Sequence, residues 1–195
     1  MIWLTRHGET VFNREGRYQG AKDSDLTEKG REQARRMGVL LSTLVPDRSA
    51  VRLVSSPRGR ARHTAELIAL ALGMPGPIET DSRIAEISLG QWDGLTDEEI
   101  EAHSPGARDG IRGRDWFFHG PGGERFEDLT YRLGDWLDET VRRGEPVIAV
   151  SHGISGAILR GLHGGETREA MMSGHAPQDA VFRLWDGQVI QFTPD

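Results

Sequence analysis

Three short polar clusters in this chain each stand where an apolar, β-rich run ends, and each is rich in groups that handle anions. The first, Thr5-Arg6-His7-Gly8-Glu9-Thr10, sets a cation and an imidazole directly after the opening apolar residues. A glycine at position 8 lets the backbone turn without a Cβ and lets a ligand come close. The second runs Ser55-Ser56-Pro57-Arg58-Gly59-Arg60-Ala61-Arg62-His63-Thr64-Ala65 and bridges an extended run and a helical one. A helix N-terminus that carries arginine offers N–H groups, the positive end of a dipole and a guanidinium fork, all suited to phosphate oxygens. The third, Ser151-His152-Gly153, again follows a β-rich run and precedes a helical one. Taken singly, each has a plain alternative: a solvated strand edge, a basic first turn, a hydrogen-bonded structural histidine. The basic first turn is the least comfortable of these, because cations at a helix N-terminus oppose the dipole.

The elements that must position these clusters alternate between extended and helical patterns, which predicts α/β layering around a largely parallel sheet. Strands are expected at 1–6, 51–56, 146–151, 180–185 and 187–192, the last two joined through an Asp186-Gly187 turn. One helix should be capped by Thr27, carry Ala34, Met37, Leu40, Leu41 and Leu44 on its inner face, and stop before Pro46. A second should run from about Arg60 to Leu72, ended by Gly73 and Pro75. A third begins near Phe126, with Leu129, Leu133, Trp136, Leu137 and Val141 at helical spacing and Gly144 as its stop. A fourth follows Gly153 and uses Ile154, Ala157, Ile158 and Leu162. The clusters therefore fall at strand ends, where open parallel sheets place their ligands. The Gly-, Pro- and Arg-rich stretch 104–124, with Trp116, Phe117 and Phe118 at its centre, is the candidate insertion or substrate lid. Its Arg108, Arg112 and Arg114 could form a basic rim, or the stretch could be an ordinary packed loop.

Composition narrows the function classes. A chain of 195 residues fits one domain, 1–195. Its formal charge of −6 repels nucleic acid and anionic membrane, so an anionic ligand must be caught locally. With no cysteine there is no disulfide, thiolate metal site or thiol nucleophile, which suits a reducing cytoplasm. Arg6 interrupts any secretory leader, and the most apolar stretch, 65–74, is too short to span a membrane. The other histidines, at 63, 103, 119, 163 and 175, show no metal-ligand spacing, so no metal is expected; no cofactor is expected either.

In order and over nearly its whole length, the chain resembles the histidine phosphatase superfamily, the phosphoglycerate mutase-like enzymes. The resemblance is carried by Leu4-Thr5-Arg6-His7-Gly8-Glu9-Thr10 with Asn13, by Leu26-Thr27-Glu28-Lys29-Gly30, and by Ser55 to Ala65. It continues in Ile84-Ala85-Glu86-Ile87-Ser88-Leu89-Gly90-Gln91-Trp92-Asp93-Gly94, Pro121-Gly122-Gly123-Glu124 and Val150-Ser151-His152-Gly153. It implies a three-layer α/β/α sandwich with a mostly parallel central sheet. It also implies His7 as the phosphoryl acceptor, Glu86 as the proton donor, Arg6, Arg60 and His152 as phosphate-binding catalytic groups, and Asn13, Gln19 and Gly153 as substrate-binding residues.

Phosphoryl transfer has a loose, strongly anionic transition state, so positioning and charge stabilisation dominate. His7 must attack as neutral imidazole, and nearby guanidinium groups favour that form. A phosphohistidine then divides one displacement into two easier ones. Glu86 would protonate the leaving alkoxide and later deprotonate water, and an incoming phosphate dianion favours its protonated form. The arginines take over the charge neutralisation that Mg²⁺ supplies elsewhere. The expected activity is thus that of a metal-independent phosphomonoesterase of the histidine acid phosphatase type, acting on a small phosphorylated metabolite and releasing inorganic phosphate. Two alternatives stand beside it, a cofactor-dependent phosphoglycerate mutase and a catalytically silent phospho-ligand binder. The mutase branch carries a longer basic insertion before its second histidine, and a silent binder would be expected to lack one of His7, Arg6, Arg60, Glu86 and His152.

Overall fold

The structure, a computed structural model, describes residues 1–74, 76–174 and 176–194. Its sheet holds six strands in the order β3-β2-β4-β1-β5-β6. These are β1 (Ile2–Arg6), β2 (Arg52–Ser55), β3 (Glu79–Thr80), β4 (Val147–Ser151), β5 (Val181–Trp185) and β6 (Gln188–Phe192). Strands β1, β2, β3 and β4 are parallel, and β5 and β6 add an antiparallel hairpin at one edge. The five strands expected from sequence are all present. β3 escaped notice because it is two exposed residues with no apolar signal. The hairpin turns through Asp186 and Gly187, both at positive φ, as a tight two-residue turn requires.

Period-two alternation sends neighbouring strand residues to opposite faces and builds two cores. On one face Trp3, Leu53, Ile148 and Val150 pack against α2 (Glu28–Leu44) and α3 (Gly59–Leu72). On the other, Ile2, Leu4, Val54, Val147 and Ala149 meet α4 (Asp97–His103), α5 (Phe126–Arg143), α6 (Gly153–Gly164) and α7 (Arg168–Ser173). The result is the three-layer α/β/α sandwich with a mostly parallel sheet. A short helix α1 (Val11–Arg14) follows β1.

The expected helix ends hold. Thr27 caps α2 through a 3.0 Å bond from the Gly30 N–H, and Gly73 and Gly144 close α3 and α5 in the left-handed region. Pro75, read as part of the α3 stop, lies outside the described residues. Val141 does not belong to the buried stripe of α5, being 58% exposed. It falls about a quarter turn off the face formed by Leu129, Leu133, Trp136 and Leu137, and Thr140 takes the inward place.

Candidate active site

The parallel strands bring the three clusters to one edge of the sheet. Arg6 on β1 is paired in register with Ser151 on β4, and the His7 N–H donates to the Ser151 carbonyl at 3.0 Å. The Ser56 N–H donates to the Val150 carbonyl at 2.9 Å, so the ends of β1, β4 and β2 are level. The His7 and His152 rings meet edge-on with centroids 5.2 Å apart.

Both imidazoles are buried and neutral. Burial first, and then the Arg60 and Arg6 charges, hold His7 well below its ordinary pKa; burial and Arg60 do the same for His152. His7 Nδ1 lies 2.8 Å from the Gly8 carbonyl oxygen, which can only accept, so the ring proton is on Nδ1 and Nε2 is bare. The Arg60 Nε–H points at that bare Nε2 from 3.2 Å.

Arg60 is almost wholly buried. It donates from Nη1 to the Lys22 carbonyl and to Asp23 Oδ1, and from Nη2 to the Gly20 carbonyl. Of its five N–H groups, one Nη2–H and the Nε–H facing His7 remain for a ligand. Arg6 is held at one end by the Ala176 carbonyl, 2.6 Å from Nη1, and burial pushes its pKa down to about 10. Among the described residues, five buried side-chain nitrogens lack a hydrogen-bond partner, and Arg6 Nε and His152 Nδ1 are two of them. His152 Nε2 is 2.7 Å from Ser56 Oγ, which itself accepts from the Arg58 N–H. Buried polar groups are normally satisfied, so unsatisfied nitrogens on two neighbouring site residues mark a place for an acceptor.

Glu86 sits over the first turn of α6. Its carboxylate accepts from the N–H groups of Gly153, Ile154 and Ser155, from the Ser155 hydroxyl and from its neighbour Ile87. Arg132 of α5, ion-paired with Glu124, clamps this segment by donating to the carbonyls of Arg83 and Ala85.

Six of the eight residues expected from sequence, Arg6, His7, Asn13, Gln19, Arg60 and Glu86, line one cavity of about 510 Å³. His152 and Gly153 do not line it. His152 lies against His7, and Gly153 gives its N–H to Glu86. Gln19 is buried, with Oε1 accepting from Ser24 Oγ at 3.1 Å. Two local readings need correction. What comes close to Gly8 is the backbone of α2: a Cβ there would lie 2.2 Å from the Gly30 carbonyl oxygen. The first-turn N–H groups of α3 are not open to a ligand, because the Asp23 carboxylate takes those of Gly59 and Arg60 at 2.5 and 3.2 Å. That acid answers the basic turn that sequence alone found uncomfortable.

Residues 2–182 match the model of the histidine phosphatase superfamily, branch 1. The chain belongs to that family. Among its relatives, a Salmonella choleraesuis protein named "Probable phosphoglycerate mutase GpmB" is 37% identical over 164 residues, 79% of this chain and 70% of that one. Among solved structures, mycobacterial glucosyl-3-phosphoglycerate phosphatase complexed with VO3 is 28% identical. It aligns over 98% of this chain and 96% of its own, with a TM-score of 0.77. Bacillus stearothermophilus YhfR is 32% identical and aligns over 98% and 95%, with a TM-score of 0.79. The family's members include phosphatases and phosphoglycerate mutase-like proteins, and the chain stands among enzymes of phosphate esters.

Part of the 104–124 stretch reaches the site. Arg114, Trp116 and Phe117 line the cavity, with Trp116 and Phe117 stacked at 4.1 Å and Tyr18 edge-on to both. Arg108 lies over the Trp116 ring and pairs with Asp97. Arg17 pairs with Glu99 at 2.5 Å, whereas Arg114 donates to the Gly174 carbonyl and has no carboxylate partner among the described residues. Sequence reading missed Asp23, Ser56, Arg132 and Ser155. Asp23 had a signal, an acid just ahead of the Leu26-Thr27 segment in a chain whose next strand is followed by arginines 58, 60 and 62. Among the described residues no three His, Asp or Glu side chains converge as a metal site, and no helix is long and apolar enough to cross a membrane.

Proposed function

We propose that the protein hydrolyses a small phosphomonoester through a phosphohistidine on His7 Nε2, without a metal. The observation that carries this reading is the tautomer of His7: Nδ1–H is tied to the Gly8 carbonyl, and the bare Nε2 faces the guanidinium of Arg60 at the buried end of a cavity. A phosphate entering there takes Nε–H and the remaining Nη2–H from Arg60, releasing the His7 lone pair for in-line attack. Arg6 Nε–H supplies a further donor. If Ser56 gives its hydroxyl proton to His152 Nε2, the ring proton stands on Nδ1 and supplies another. Nε2 forms a bond to phosphorus as the ester oxygen leaves, and Glu86 gives that oxygen a proton. To do so it must withdraw one carboxylate oxygen from the α6 N–H groups. Water then attacks the phosphohistidine, Glu86 takes its proton, and inorganic phosphate and neutral His7 are restored. The cavity is large enough for a metabolite beyond the phosphate itself, and its Arg114 and aromatic wall would meet the leaving group.

The 37% identical relative gives weight to a second reading, interconversion of phosphoglycerates. The test is turnover of a panel of phosphomonoesters, 3-phosphoglycerate included, by wild type and His7→Ala in EDTA. Phosphate release by wild type alone supports hydrolysis. Conversion of 3- to 2-phosphoglycerate without release of phosphate would replace it with the mutase, and activity of His7→Ala equal to wild type would remove the His7 mechanism.

A further inference from the structure

Asn13, in the short helix α1, accepts two hydrogen bonds on Oδ1: one from the Thr10 N–H at 3.2 Å and one from Gln178 Nε2 at 2.7 Å. A backbone N–H can only donate, so the atom facing Thr10 is the amide oxygen. Gln178 must then present its NH2 to the same oxygen. With that oxygen committed twice, the Asn13 NH2 is the end left to donate into the cavity that Asn13 lines.

The two partners are unlike in what they hold. Thr10 is the cap of the same four-residue helix, which has too few internal bonds to be rigid by itself. Gln178 comes from 165 residues away and lies just before the buried start of β5, the neighbour of β1 in the sheet. Its segment also holds Arg6 through the Ala176 carbonyl and Arg114 through the Gly174 carbonyl. Gln178 itself is not part of the cavity wall.

We propose that Gln178 is a positioning residue for phosphoryl transfer: it locks the Asn13 amide with its NH2 toward the phosphate, and so sets the strength of phosphate binding without touching phosphate. The inference rests on the proposed phosphoryl transfer, with Asn13, a substrate-binding residue by resemblance and part of the cavity wall, taken as a donor to phosphate, and its test separates the two. Orthovanadate, a phosphate mimic, is titrated calorimetrically into wild type, Asn13→Ala, Gln178→Met, the double variant and Gln178→Glu, each shown folded by its thermal melt; kcat and KM are measured alongside. Asn13→Ala and Gln178→Met should each weaken orthovanadate binding roughly tenfold, the size of one lost buried hydrogen bond. The double variant should be no weaker than Asn13→Ala, because the glutamine acts only through the asparagine. Gln178→Glu, which can only accept, should invert the Asn13 amide and weaken binding at least as much as Gln178→Met. Should Gln178→Met not fold, Gln178→Glu carries the same comparison against Asn13→Ala. The inference is overturned if Asn13→Ala weakens binding and the Gln178 variants do not, or if the two losses add fully. Should Asn13→Ala bind orthovanadate as wild type does, the reading of Asn13 falls first and the inference with it.

Discussion

Replacing Gly8 by alanine would place a Cβ 2.2 Å from the Gly30 carbonyl oxygen and within 2.9 Å of the Gly30 Cα. The obstacle is backbone in the first turn of α2, so no side chain can swing aside. Nor can α2 retreat freely, because the Thr27 N–H is bonded to the Glu9 carbonyl at 2.9 Å and the Glu9 N–H to Gln33 at 2.8 Å. Gly8 has no positive φ, so conformational freedom plays no part and the contact alone decides. Restoring an ordinary separation requires a shift of about 1 Å, next to the residue whose Nε2 must meet phosphorus in line, and a displacement of that size costs on the order of 100-fold in rate. The overpacking itself should cost about 1–3 kcal/mol of stability. The assay is kcat/KM on p-nitrophenyl phosphate, with urea denaturation of the same preparation to separate poor chemistry from unfolded enzyme. A Gly8→Ala protein with wild-type kcat/KM and an unchanged denaturation midpoint would refute the claim that this backbone contact sets the position of His7.

A complementary change at Gly134, mid-way along α5, should act the other way, because a Cβ there would meet nothing within 4 Å. Gly134→Ala should stabilise by about 0.5–1 kcal/mol with activity intact, read from the urea midpoint. Because burial holds His7 and His152 below the ordinary 6.5, the unfolded chain binds more protons than the folded one in mild acid. Their contribution is fully present above pH 6.5 and is lost as pH falls below it, by about 1 kcal/mol per pH unit for each histidine, until the folded rings themselves protonate. Urea melts between about pH 5 and 7.5 should show that slope, and His152→Asn should reduce it. Arg114→Ala should lower kcat/KM by roughly tenfold for esters whose leaving group carries a second anion, such as 3-phosphoglycerate, and leave glycerol 3-phosphate nearly unaffected. Equal losses on both would show that Arg114 does not read the leaving group.

The parts of this molecule that could be read from sequence are those written in local periodicity or in short fixed-register motifs. The apolar run Ile2, Trp3 and Leu4 marked a strand, which the structure buries on both faces, and Thr27 and Gly144 marked helix ends because caps are local chemistry. Arg6, His7, Arg60, Glu86 and His152 were legible because each stands at a fixed offset within a short motif. The supporting groups were not. Asp23 holds Arg60 across 37 residues and Gln178 holds Asn13 across 165, separations at which no periodicity carries information. Gly8 and Gly30 looked like separate glycines, and only the packing of α2 against the loop after β1 shows that they serve one contact. Val141 fits an apolar pattern by type but not by angle, which the observed helix phase alone decides.

If His7 Nε2 carries the phosphoryl group, a covalent adduct can be trapped at that nitrogen. Rapid quenching of wild type with 32P-labelled substrate, in EDTA, should trap a label on the protein that is lost in acid and kept in alkali, and ³¹P NMR of the denatured adduct should place it on Nε2. His7→Ala should carry no label. A label that survives in His7→Ala, or one found on Nδ1, would rule out transfer through His7 Nε2.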